Sequence, residues 1–238
     1  PDPTADVSGA DATAKAAILA GLAFGTWIDV DAVHREGIEG TQRADIAFAA
    51  ELGYVVKLLA VAERTAAGVS ARVHPALVPT DHPLAGVRGP TNAVFVEGPA
   101  VGELLFAGPG AGGGPTATAV LGDVIDAARE VLSGSQVAPR IRINPAGVID
   151  FGEIPTKWYV RLEVDDRPGV LAAIAAAFGD QGVIIKSVLQ EGMGDRATVL
   201  VVTHRAPESQ QRAAAGALEA LDVVREVGAV LRVESDEP

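Results

Sequence analysis

The stretch Leu162-Glu-Val-Asp-Asp-Arg-Pro-Gly-Val-Leu171 decides how the C-terminal third of the chain is read. It begins inside an alternating apolar run, Trp158 to Val164, whose period of two marks a strand. Pro168-Gly169 ends that strand, and Val170 to Phe178 continues with the composition of a helix. Working outward, Val183 to Gln190 and Ala197 to Thr203 read as strands, Ser209 to Leu221 as an alanine-rich helix, and Ala229 to Val233 as a last strand. The predicted order over this segment is βαββαβ.

That order is the split βαβ arrangement of ferredoxin-like folds. Upstream, Asp2, Pro3, Asp6, Ser8 and Gly9 form a polar, turn-favouring string. Asp11 to Phe24 then reads as a helix, with Ser8 as N-cap and Gly25 as its stop. Arg43 to Leu52 is a second helix, ended by Gly53. Tyr54 to Ala62 is β-branched and apolar, which predicts a mostly buried strand. Gly68 turns it into Val69 to Pro75, whose alternation predicts an antiparallel partner with one face exposed. Ala93 to Glu97 and Val101 to Phe106 are further strands. Thr116 to Leu132 is a helix, carrying Ala119, Val120, Asp123, Val124 and Ala127 at helical spacing. Gly134 to Thr156 holds Pro139, Pro145 and Pro155 and reads as a linker with one short strand at Arg140 to Ile143.

Composition narrows the function classes. The 238 residues carry 31 acidic against 19 basic side chains, a net charge of −12. A protein built to grip phosphate backbones is normally basic, so nucleic acid is not an expected partner. With 48% apolar and 21% charged residues the chain can bury a core. The absence of cysteine removes disulfides, thiol nucleophiles and thiolate metal sites, which suits a reducing, cytoplasmic setting. The longest uncharged apolar stretch, Ala16 to Ile28, is too short to span a membrane, and no secretory signal opens the chain. The single methionine is Met193 and the chain begins Pro-Asp-Pro, so it reads as a processed product or the downstream part of a longer protein.

The Asp165-Asp-Arg-Pro-Gly-Val-Leu171 string between strand and helix, inside the βαββαβ order of 158–233, resembles an ACT domain, a small regulatory module that binds amino acids. Gly169 lets a backbone approach a ligand closely, and the helix start at Val170 offers N–H groups to a carboxylate. The resemblance implies that Asp166 takes an effector's ammonium and that backbone at Gly169, Val170 and Ile185 completes the pocket, against a second copy of the module. The plainer reading is that Pro168 opens a helix and Gly169 avoids a clash.

A sharper pattern stands at the other end. Asp2-Pro-Thr-Ala-Asp6-Val-Ser-Gly-Ala-Asp11-Ala-Thr-Ala-Lys15 resembles the active-site segment of homoserine dehydrogenases. The likeness continues through Glu36-Gly37-Ile38, Asp45-Ile46, Glu51 to Leu59, Val73-His-Pro75, His82 to Ala85, Asn92-Ala-Val94 and Gly110 to Val120. It implies a reduction of aspartate semialdehyde, which needs a hydride, a proton for the developing alkoxide and grips for an amino acid. Asp11 and Lys15 are four residues apart and share a helix face. By resemblance, Lys15 and Asp11 are the catalytic residues, Lys15 stabilising and protonating the carbonyl oxygen and Asp11 tuning it. Asp6, Asp11 and Lys15 bind substrate. The competing reading is a capping box from Ser8 to Asp11 and an ordinary acid-first ion pair. Lys57, which interrupts an apolar strand, is open between ligand and snorkelling end; His74 and His82 read as structural residues of a surface hairpin.

Gly108, Gly110 and Gly113 satisfy GxGxxG, but Pro109 and Pro115 stiffen the loop and no acid-ended strand follows, so this is not a dinucleotide fingerprint. In the family the stretch faces the nicotinamide, which makes Gly112, Gly113, Pro115 and Thr116 candidate cofactor contacts. The cofactor, NADP or NAD, would be bound mainly by a domain outside these residues, so this chain alone is expected to be inactive. No metal site is expected within it.

The expected fold class is α+β: a mixed-sheet catalytic and dimerisation domain with helices on one face, followed by a ferredoxin-like ACT domain. The expected divisions are 1–133, a linker at 134–156, and 157–238. The resemblance further implies threonine as effector, a role in threonine and methionine synthesis, and a homodimer or homotetramer. The alternative is a non-enzymatic amino-acid sensor whose dehydrogenase domain is a relict.

Overall fold

The computed structural model describes residues 2–134, 148–192 and 194–234. The chain divides into two compact units, Pro1–Pro79 with Arg142–Pro238, and Thr80–Ile141.

The first unit opens with α1 (Thr4–Val7), α2 (Ala10–Phe24), β1 (His34–Arg35), α3 (Arg43–Glu51), β2 (Tyr54–Thr65) and β3 (Gly68–Pro79). The second holds β4 (Thr91–Gly98), β5 (Gly102–Pro109) and α4 (Gly113–Ser133). The chain then re-enters the first with β6 (Pro155–Thr156), β7 (Trp158–Asp165), α5 (Val170–Gly179), β8 (Ile185–Gly192), β9 (Arg196–Thr203), β10 (Ala206–Pro207), α6 (Glu208–Glu219) and β11 (Val224–Val233). The four long strands of the C-terminal part lie in the order β11-β7-β9-β8, all antiparallel, with α5 and α6 as crossovers. This is the expected βαββαβ fold. The predicted strand at Arg140 to Ile143 lies outside the described residues.

One seven-stranded mixed sheet runs through the first unit. β3 pairs along its whole length with β2, and takes β1 in parallel at Arg72–Val73 and β11 in parallel at Ala76–Leu77. The alternation of the strands sorts the core by face. Val160, Leu162 and Val164 of β7 pack with Ile174 and Phe178 of α5 and Leu218 of α6. On the opposite face Tyr159, Leu200 and Leu231 meet Leu77 and Ala49, the last from α3. Val69, Ala71 and Val73 pack beneath Ala16, Ala17 and Ala20 of α2. Helices α2 and α3 thus cover one face of β2 and β3, as expected for the N-terminal part.

Three local expectations are corrected. Ser8 does not cap α2; it closes α1, and the N-cap is Gly9, in the left-handed region at φ 77° with no side-chain cap bond. An added Cβ there would sit 3.1 Å from Val73 Cγ1, so the tight joint between the two helices requires glycine. The proposed capping box from Ser8 to Asp11 is therefore absent. Second, β2 is only partly buried, whereas β3 is buried almost throughout, because α2 lies over one of its faces and the C-terminal part over the other. Third, His74 belongs to that buried strand rather than to a surface hairpin.

In the second unit β4 and β5 form an antiparallel hairpin from Thr91↔Pro109 to Gly98↔Gly102. α4 carries no buried residue, leaving Val120, Leu121, Val124 and Ile125 exposed. No helix among the described residues is long and apolar enough to cross a membrane.

Candidate functional site

α2 presents two different faces. Thr13, Ala16, Ala17 and Ala20 are buried against the sheet, which leaves Asp11, Lys15, Ile18 and Leu22 on the outward stripe. Lys15 Nζ lies 2.6 Å from Asp11 Oδ2, with the two side chains 54% and 44% exposed. The helix start below this pair is fixed by Gly9, whose carbonyl accepts from both Thr13 N at 2.9 Å and Thr13 Oγ1 at 2.7 Å. Asp6 stands exposed on α1, whose end is tied by Ser8 N to Thr4 O at 3.0 Å and Gly9 N to Asp6 O at 3.2 Å. The structure thus joins Lys15 to Asp11 directly and sets Asp6 on the adjoining turn. The loop after β1 braces this joint, since Ile38 N donates to Val7 O at 2.9 Å.

The candidate cofactor contacts sit at the start of α4 in the second unit. Gly112 is its N-cap at φ 129°, and Gly113, Pro115 and Thr116 form the exposed first turn. A Cβ at Gly113 or Gly114 would meet nothing within 4 Å, so the backbone here is open to a ligand's approach. Thr116 N is already spent on Gly112 O at 3.1 Å. The residues suit one edge of a nicotinamide cofactor. No group of three or more metal-ligating side chains occurs among the described residues.

At the C-terminal turn, Gly169 is the N-cap of α5 at φ 93°, and an added Cβ there would meet nothing within 4 Å. Val170 is buried, and its N–H makes only a long 3.4 Å contact with Arg167 O, which leaves the donor free to turn to a closer acceptor. Asp166 is exposed; its Oδ1 accepts from Gln190 Nε2 at 3.1 Å and its backbone N–H donates to Asp195 O at 3.1 Å. Ile185 begins β8 and pairs with Thr203. Asp165, next to Asp166 in sequence, is held by Arg225 at 2.7 Å and Arg167 at 3.5 Å, which lowers the carboxyl below its ordinary range, chiefly through the Arg225 bond.

Sequence reasoning passed over a second, more buried constellation around Phe151. Its ring stacks on His34 at 4.3 Å and faces His74 at 6.0 Å, and the guanidiniums of Arg72, Arg212 and Arg232 lie 5.9, 5.3 and 5.7 Å from its centre. Glu36 and Glu208 answer that charge. Burial raises the Glu36 carboxyl, but bonds from His34 and Arg232 outweigh it and bring it to about 2. The Glu208 carboxyl accepts from Thr156 Oγ1 at 2.7 Å, Trp158 Nε1 at 2.9 Å and Arg212 Nε at 3.1 Å, and it also pairs with Arg232. His74 is pushed down to about 3, first by burial and then by Arg232 and Arg72. A signal existed in Arg232 itself, a charge inside the apolar run Val230-Leu-Arg-Val233. Lys57 pairs with Ala76 in the β2–β3 ladder. His82 accepts from Leu84 N at 3.1 Å and stacks edge-on to Phe95, a turn-forming role in the second unit.

Comparison with known proteins gives these sites a context. The homoserine dehydrogenase family model matches residues 1–125 and the ACT domain model residues 158–223. The homoserine dehydrogenase of Corynebacterium glutamicum is 45% identical over 99% of this chain and 54% of its own length, and that of Mycobacterium tuberculosis H37Rv 48% identical over 98% and 55%. The crystal structure of a homoserine dehydrogenase from Thiobacillus denitrificans superposes with a TM-score of 0.91 at 35% identity, covering 98% of this chain and 55% of that one. The chain spans about half the length of the curated relatives it matches. With the family model covering more than half of the chain and the ACT domain following it, the chain belongs to the homoserine dehydrogenase family.

Proposed function

We propose that the chain is the substrate-handling and effector-handling part of an NAD(P)-dependent homoserine dehydrogenase, interconverting L-aspartate 4-semialdehyde and L-homoserine in threonine and methionine synthesis in the cytoplasm. The observation that carries this reading is the Lys15–Asp11 pair, held at 2.6 Å on the outward stripe of α2 within the family-matched segment. NAD(P)H, when bound, would supply the hydride, and Gly112, Gly113, Pro115 and Thr116 would be the residues of this chain that hold it. Lys15 Nζ holds the proton destined for the carbonyl oxygen and stabilises the charge that develops there. Asp11 keeps that ammonium oriented, and Asp6 takes the amino-acid end of the substrate. The divisions 1–133, 134–156 and 157–238 are the catalytic, linking and regulatory segments of this reading.

The test is NADPH oxidation with aspartate semialdehyde by the chain alone and by a fusion behind the nucleotide-binding part of the Corynebacterium glutamicum enzyme. The fusion turns the substrate over and the chain alone does not. A fusion that binds NADPH but stays inactive refutes the enzyme reading in favour of an amino-acid sensor.

For the C-terminal module we propose threonine as effector, its ammonium on Asp166 and its carboxylate on the backbone at Gly169 and Val170, with Ile185 closing the pocket. β8 is an edge strand of the sheet and exposes Val188 and Leu189, which supports pairing with a second copy and hence a homodimer or homotetramer. Millimolar threonine raises the melting temperature of the chain and not that of its Asp166→Ala variant; no shift in either refutes the threonine assignment.

A further inference from the structure

We infer that Arg232 is a positioning residue for the candidate catalytic segment, tying the C-terminal module to the joint between α1 and α2 through Glu36. The inference rests on the reading of Asp6, Asp11 and Lys15 given above. The guanidinium is 3% exposed. On the C-terminal side it is fixed by its ion pair with Glu208 and by the Trp158 ring, whose centre is 5.1 Å away. With the same fork it reaches Glu36, pairing with both carboxylate oxygens, one at 2.7 Å. A bidentate arginine–carboxylate pair fixes direction as well as distance.

Glu36 begins the loop that braces the candidate site. Its own N–H donates to Val73 O at 2.8 Å, and two residues on Ile38 N donates to Val7 O. Between them, Gly37 lies so close to the end of α1 that an added Cβ would stand 2.6 Å from Val7 O and 2.9 Å from Ser8 Cα. A shift of Glu36 is therefore passed to Val7, Ser8 and Gly9, the turn between Asp6 and Asp11. Against β11 the loop is not close-packed: a groove of about 240 Å³ lies there, lined by Gly37, Gly40, Thr41, Val227 and Gly228. With that groove beside it, the side-chain hold on the loop comes through the Glu36 carboxylate, which takes Arg232 on both oxygens and His34 Nε2 at 2.8 Å on one of them. Movement within the C-terminal module, including any imposed by an effector at α5, has a direct route to the Lys15–Asp11 pair.

Hydrogen exchange on the chain, with Glu36→Gln, Arg232→Lys and the double variant, tests this without cofactor or substrate. Each single variant speeds exchange at Ile38 and Gly9 by about tenfold. Val160 and Val201, paired in the β7–β9 ladder, keep their protection. The double variant exchanges no faster at Ile38 than the faster single one, because both remove one tie. The proposal is overturned if Glu36→Gln leaves Ile38 within about twofold of the unsubstituted chain. It is equally overturned if Val160 and Val201 accelerate in parallel, as a merely stabilising arginine would require, or if the single effects multiply. Glu36→Gln decides alone should Arg232→Lys fail to fold. Because neither ligand enters the measurement, its failure leaves the dehydrogenase reading standing, and an inactive fusion leaves the tie standing.

Discussion

Asp45 is the most exposed to test of the buried charges, in the sense that its removal has a cost that can be worked out in advance. It has no solvent exposure, and its Oδ1 accepts from Arg161 Nε at 2.6 Å while its Oδ2 accepts from the backbone of Gln42 at 2.8 Å. Breaking a buried ion pair from one side costs about 3–5 kcal/mol, because the other charge stays behind without its counterion. Arg161 would keep Glu163 at 3.1 Å and Gln42 Oε1 at 2.9 Å, so Asp45→Ala belongs near the lower end, about 3 kcal/mol. Loss of the carboxylate's half of the α3 capping box adds about 0.5 kcal/mol. In a chain of this size the sum of about 3.5 kcal/mol corresponds to about 7–14 °C in Tm. Urea unfolding followed by tryptophan fluorescence is the assay. Both tryptophans, Trp27 and the buried Trp158, belong to the first unit, so the signal reports that unit alone. Asp45→Ala/Arg161→Met should be more stable than Asp45→Ala by about 1–2 kcal/mol, since an apolar side chain replaces the stranded guanidinium. A loss below about 1 kcal/mol for Asp45→Ala, or a double variant as costly as the two singles added, would refute the argument that the pair acts as a desolvated unit.

Lys15→Met leaves the urea midpoint of the chain within about 0.5 kcal/mol of its starting stability, because the pair it breaks is half exposed. The same substitution in the fused dehydrogenase lowers kcat by about 100-fold or more, and near-normal turnover would remove Lys15 from the chemistry. His74 sets a pH dependence. Its folded pKa of about 3 lies below the ordinary 6.5, so the unfolded chain takes up a proton that the native state refuses, and stability falls as pH drops from 6.5 towards 3. The slope is at most about 1.4 kcal/mol per pH unit, and His74→Gln removes it. Measured above about pH 5.5 the effect is separate from that of Glu36, whose lowered carboxyl loses its stabilisation as pH falls through 4.5 towards about 2. Gly228→Ala places a Cβ 2.5 Å from Arg161 Nη1, and a guanidinium held by Asp45 has little freedom to retreat; urea unfolding should show a loss of about 1–3 kcal/mol.

What the sequence disclosed and what it withheld follow from the range of the interactions. The βαββαβ order was legible because each strand and helix signals its own period, and Gly169 at φ 93° sits where the Pro-Gly turn demanded a special backbone. Lys15 and Asp11 were legible as a pair because helical spacing of four is a local rule. The N-cap at Gly9 was not, since a serine is the better local candidate and only the approach of Val73 to that position favours glycine. The burial of β3 was hidden for the same reason. Arg72 and His74 alternate like exposed residues, yet they are paired and stacked within the Phe151 cluster, whose members come from chain segments far apart. Polar residues at period two announce a second face, not what covers it.

The register of β11 explains why the two family-matched segments share one sheet. From Val224 to Arg232 it is the antiparallel partner of β7, and at Arg232–Val233 it also pairs in parallel with Ala76–Leu77 of β3. Parallel neighbours cannot be joined by a tight turn, so this contact brings together strands separated by the whole second unit and most of the C-terminal module. Glu234 N extends it by donating to Leu77 O at 2.9 Å, and Val233 N turns back to Lys157 O at 2.9 Å. The same strand end contributes Leu231 and Val233 to the core that α3 covers, and Arg232 to the opposite face, where it meets Glu36 and Glu208. Alternation along one strand therefore assigns apolar adhesion to one side and directional ion pairing to the other. Apolar packing alone would tolerate small slippage between the segments, whereas the paired carboxylates fix Arg232 and hence the strand's position. Any shift of the C-terminal module at this strand end therefore acts first on Glu36, the residue that begins the loop bracing α1 and α2.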